Sequence, residues 1–154
     1  MKKRCLSLVC VIAFMLSVSG VVRASEDRLM IDGSYLTHEE ESVGEAVLTT
    51  RGEYLMAGTS KVSKAAAGVI NAGGTTSAAR TVSEVGIVVM IERCKSGATS
   101  WSYYTGWETT KTNASYVSTS KRKTVPGGYY YRVRSTHWAN SDVSSSSTNG
   151  VYIN

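Results

Sequence analysis

The chain has 154 residues, is 42% hydrophobic and 19% charged, and carries a formal net charge of +5. That positive balance does not survive a closer count. Four of the 17 basic residues (Lys2, Lys3, Arg4 and Arg23) fall in an N-terminal export signal, leaving 13 basic against 12 acidic groups and a net charge of +1. The alkaline character therefore gives no support to nucleic-acid binding.

Met1-Lys2-Lys3-Arg4 is a basic n-region, and residues 5–22 are a nearly uncharged apolar stretch. Val22-Arg23-Ala24 places small or modest residues before a cut after Ala24, so 1–24 reads as a signal peptide. Ser17, Ser19 and Gly20 interrupt the apolar run, which falls short of the roughly 20 residues a spanning helix needs. The expected product is secreted, with no stable membrane anchor after cleavage. Two of the three cysteines, Cys5 and Cys10, leave with the signal. Cys94 is then alone: a nucleophile, a dimer bridge or a small buried apolar group.

Residues 25–50 lack clean periodicity and read as an irregular acidic leader, with Asp32-Gly33-Ser34 marking a turn. Across 25–60 there are eight acidic and two basic groups, and across 61–154 four acidic and eleven basic. The leader can lie on the basic body or stand off as a solvated arm. From 51 to 154 short strands are expected between turn signals, at 53–62, 66–72 (closed by Gly73-Gly74), 82–94, 101–108, 116–125, 129–138 and 151–153. Residues 139–147 are Ser-rich and read as a loop or an irregular edge. About seven strands and little helix signal predict an all-β fold, a single antiparallel sandwich.

The stretch 127–138 holds four aromatic residues behind a Pro126-Gly127-Gly128 turn. Strand alternation puts Tyr129, Tyr131, Val133, Ser135 and His137 on a core face. Tyr130, Arg132, Arg134, Thr136 and Trp138 fall on the other, either a solvated face with snorkelling arginines or a binding surface. Val125-Pro126-Gly127, Tyr129 or Tyr131, and Arg132-Val133-Arg134 resemble the E–F corner and F strand of fibronectin type III and other immunoglobulin-like domains. That resemblance implies a tyrosine bonding back to the corner. More widely, Asp32-Gly33-Ser34-Tyr35-Leu36-Thr37, Arg51-Gly52, Ala72-Gly73-Gly74-Thr75-Thr76, residues 89–93 with Trp101 and Trp107, and Thr148-Asn149-Gly150 resemble a family of small exported Firmicutes proteins without an assigned function. The resemblance implies no catalytic residues.

Chemistry is sparse. His38 beside Glu39, Glu40 and Glu41 lacks metal-ligand spacing. His137 with a serine and Asp142 has no nucleophile-elbow context. No phosphate-binding glycine loop is present. Lys121-Arg122-Lys123 reads as a contact to anionic polymer or phospholipid, or as a lysine-guarded edge strand. The expectation is a non-enzymatic protein with no cofactor or metal, binding an extracellular glycan or protein through Tyr130, Arg132, Arg134 and Trp138. The alternative is a small antimicrobial or toxin-like protein acting at the envelope of other cells.

Overall fold

The computed structural model describes residues 29–46 and 52–154, which form nine strands and no helix. The export signal expected at 1–24 and its expected cleavage point lie outside the described residues. The strands are β1 (Met30–Ile31), β2 (Ser34–Thr37), β3 (Glu41–Glu45), β4 (Leu55–Ala66), β5 (Val69–Cys94), β6 (Ser102–Thr124), β7 (Tyr129–Ala139), β8 (Asp142–Ser147) and β9 (Gly150–Ile153). The protein is all-β, but the expected antiparallel sandwich is not what these strands build. They make one sheet in the order β1-β2-β9-β7-β5-β4-β3, with β6 also on β5 and β8 also on β7. The sheet is mixed, because β2 runs parallel to β9 through Leu36↔Gly150 and Thr37↔Val151.

The length of β5 explains the curl. Its 26 residues at about 3.3 Å each would run roughly 86 Å if straight, several times the ~14 Å radius of gyration of a domain this size. The strand bends where Ser77↔Tyr116 gives way to Val82↔Ala114, five steps along β5 against two along β6. Asn113 takes a left-handed φ of 49° beside that bulge, a conformation asparagine tolerates better than most residues. Before the bend β5 pairs with β4, and after it with β7. The sheet thereby folds over itself into a half-barrel.

Its concave side holds the main core: Val62, Ile70, Val85, Ile87, Val89, Ile91, Val117, Tyr131 and Val133, all buried. Gly58 lets β4 cross β7 closely, since a Cβ there would lie 2.5 Å from the His137 ring. The inward face expected for 129–138 is the observed one, with Tyr131, Val133, Ser135 and His137 fully buried. The Tyr131 hydroxyl donates to the Pro126 carbonyl at 2.7 Å, so the corner bond is present although the topology is not immunoglobulin-like.

The acidic leader is not irregular where it is described. Asp32 and Gly33, with φ of 47° and 74°, form the two-residue turn of a β1–β2 hairpin. The hairpin carries Ile31 onto the convex face of β5 and β7, where Ile31, Cys94 and Tyr130 form a second, smaller core with Trp101, Leu36 and Tyr152. The strand β3 pairs with β4 from Glu41↔Ser63 to Glu45↔Thr59. Along its outer edge β6 has no partner among the described residues, and Lys121, Arg122 and Lys123 sit on that edge strand.

Candidate functional site

The convex face of β7 carries Tyr130, Arg132, Arg134 and Trp138 in alternation, but the leader divides the four. Arg132 is 1% exposed. Its Nε donates to Glu92 Oε2 at 2.7 Å, Nη2 to Asp32 Oδ2 at 2.7 Å, and Nη1 to the Asp32 carbonyl at 2.9 Å and Ser34 Oγ at 3.0 Å. The guanidinium also lies 4.6 Å from the Trp101 ring centroid. The Trp101 indole N–H donates to the Ile31 carbonyl at 2.9 Å. A guanidinium presents a planar fork of donors and stacks on aromatic faces, and here both capacities bind the leader to the body. The guanidinium beside Asp32 holds that carboxyl below its ordinary value, chiefly through the hydrogen bond. Tyr130 is buried as well, its hydroxyl 3.2 Å from His38 Nε2 and its ring 5.0 Å from that of Tyr152.

Arg134 and Trp138 remain accessible. Glu92 bridges the two arginines, taking Arg134 Nη2 on Oε1 at 2.9 Å. The Trp138 ring covers Gly86 so closely that a Cβ there would lie 2.0 Å from it, and the indole N–H donates to Glu84 Oε1 at 2.7 Å. Between them β7 pairs with β8 through Arg134↔Ser147, Thr136↔Ser145 and Trp138↔Val143. These outward rows line a shallow groove of about 730 Å³ formed by Arg134, Thr136, Val143, Ser145, Ser147 and Glu45. Hydroxyls, one guanidinium and an apolar patch next to an indole are the groups that recognise a polar, ring-containing ligand.

The inward residues of the same strands build a different device. His137 Nδ1 meets Thr76 Oγ1 at 2.8 Å, and Nε2 meets Ser146 Oγ at 2.7 Å. Ser146 Oγ lies 2.6 Å from Ser60 Oγ, which donates to Ser135 Oγ at 2.8 Å. With that last direction set, each hydroxyl hands its proton along the chain, so Nε2 carries the imidazole hydrogen and Nδ1 accepts from Thr76. Burial lowers the His137 pKa to about 4, keeping the ring neutral. The network clasps β4, β5, β7 and β8. Asp142 does not orient His137; it accepts the backbone N–H groups of Tyr54 and Leu55 at 2.6 and 3.0 Å. Cys94 is buried, and burial raises its thiol to about 11, so it is the small apolar group rather than a nucleophile. Among the described residues no three His, Cys, Asp or Glu side chains cluster to hold a metal, and His38 instead packs on Tyr130 and Tyr152.

The groove residues Val143, Ser145 and Ser147 fall in the stretch expected to be a loop or an irregular edge, and it forms the strand β8. Serine on both faces hides the alternation there, and only the single Val143 marks the outer side. Compared with known proteins, the chain matches no family model, and no curated protein or solved structure is significantly similar to it.

Proposed function

We propose that this chain is an exported, non-enzymatic binding protein whose β7–β8 groove takes an extracellular saccharide. The carrying observation is Trp138, pinned on Gly86 and tied to Glu84 beside the open, hydroxyl-lined groove of Arg134, Thr136, Ser145 and Ser147. A ring fixed along one edge costs little further entropy when a sugar packs on it, and the guanidinium and hydroxyls supply directional contacts. The basic, apolar and small-residue order of 1–24 supports export. The buried, carboxylate-free setting of His137 supports a binding rather than a catalytic reading.

A cell-wall and glycan panel with the purified protein tests the reading. Saturable binding to at least one saccharide is expected, with a tenfold or larger loss in Trp138→Ala and Arg134→Ala while the circular dichroism spectrum is kept. Absence of binding across the panel, together with depolarisation of target cells, would favour an envelope-active protein instead.

A further inference from the structure

The concave rim of the half-barrel, on the opposite face of the sheet from the groove, carries a second set of aromatic and basic residues. Arg93 lies with its guanidinium carbon 4.9 Å from the Tyr104 ring centroid and 4.7 Å from that of Tyr129. Lys95 Nζ sits 5.3 Å from the same Tyr129 centroid. Two cations therefore share one ring within about 10 Å of each other, comparable with the screening length of about 8–10 Å at physiological salt. Three residues further along β6, roughly 10 Å of strand, Trp107 holds a third cation, Lys121, 4.9 Å from its ring. The Trp107 indole N–H is anchored by Thr119 Oγ1 at 3.0 Å. Tyr104, Trp107 and Tyr129 all pack on the main core, so the rings are fixed platforms and the cations on them are pre-positioned.

None of Arg93, Lys95 and Lys121 has a carboxylate partner among the described residues. Lys61, Lys64, Arg80, Arg132 and Arg134 all do. Ring quadrupoles hold a cation in place without cancelling its charge, and two neighbouring cations with no acid between them are relieved by an anion. We infer that this rim is a binding site for a linear acidic polysaccharide, its carboxylate or sulfate groups bridging Arg93 and Lys95 on one platform and Lys121 on the next. A single small anion reaches one platform only, whereas a chain polymer bearing repeated charges reaches both. Tyrosine and tryptophan edges beside the cations suit sugar rings between those charges.

Isothermal titration of the purified protein with polygalacturonate and dextran sulfate, with neutral dextran and phosphatidylglycerol vesicles in parallel, tests this site. The expected result is binding to both acidic polymers that weakens steeply with added salt, and none to dextran. Lys95→Gln/Lys121→Gln, both at exposed positions, should lose at least tenfold in affinity. Lys111→Gln/Arg122→Gln removes the same charge from exposed β6 positions without a ring platform and should lose less than threefold. Equal losses in the two double variants would reduce the effect to net charge and overturn the inference. So would absence of polymer binding at low salt, or tighter binding to the vesicles. Trp138→Ala should leave polyanion binding unchanged. Were it instead to abolish that binding while Lys95→Gln/Lys121→Gln did not, the rim assignment would fail and the groove would stand.

Discussion

Three arginines of this half-barrel stack on aromatic rings, Arg80 on Tyr54 at the surface and two others that serve opposite ends. On the convex face Arg132 lies on Trp101 with Glu92 and Asp32 on its nitrogens, and it is sealed under the β1–β2 hairpin. On the concave rim Arg93 lies between Tyr104 and Tyr129 with no acid beside it. The rings are alike, and the carboxylates make the difference. Glu92 comes from the neighbouring strand and Asp32 from a leader that crosses 100 residues of sequence to arrive. A neutralised, buried guanidinium is a fastening; an unneutralised, accessible one is a contact point.

The comparison can be broken hardest at Glu92. Removing this carboxylate leaves the buried Arg132 and its neighbour Arg134 with only the exposed Asp32, so Glu92→Ala should cost about 3–5 kcal/mol, read as a fall in the urea midpoint at unchanged slope. Acid attacks the other fastening, the hydroxyl chain through His137. Its folded pKa of about 4 lies below the ordinary 6.5, so protons favour the unfolded chain. Stability from this group is complete above pH 6.5 and is lost as pH falls toward 4, by roughly 3 kcal/mol. Unfolding midpoints at pH 7 and pH 4 measure it, and a His137→Gln variant should show a smaller difference between the two. Tyr131→Phe deletes only the hydroxyl that reaches Pro126 and should cost about 1 kcal/mol. Lys95→Gln at the rim should move stability by less than about 0.5 kcal/mol, because that side chain is exposed and a single cation–ring contact at the surface is weak.

The sequence makes the core side of β7 readable because large apolar residues alternate there with arginines. It makes the Asp32-Gly33 turn readable because both positions favour positive φ. It hides the continuity of β5, since Gly73-Gly74 reads as punctuation yet lies inside a strand whose backbone neighbours approach too closely for a Cβ. The continuity of β6 is hidden in the same way, its Asn113 accommodating a bend rather than an end. The outward face of Tyr130, Arg132, Arg134 and Trp138 follows from period two alone. That the leader would bury the first two and leave the last two open depends on Asp32 and Ile31 reaching across the chain, which no local pattern encodes. The rim is not legible in the sequence: Tyr129 falls on the expected core face, and the pairing of Tyr104, Tyr129 and Trp107 with Arg93, Lys95 and Lys121 is set by the curl of the sheet.

The most direct measurement is the guanidinium chloride unfolding of Arg132→Gln beside Arg93→Gln. Each swap removes one ring-stacked guanidinium, but only Arg132→Gln takes from a buried carboxylate one of its two partners, leaving Glu92 with Arg134 alone. The account predicts a loss of several kcal/mol for Arg132→Gln against about 1 kcal/mol for Arg93→Gln. Equal losses in the two variants would contradict it, since the carboxylates would then not distinguish a fastening from a contact point.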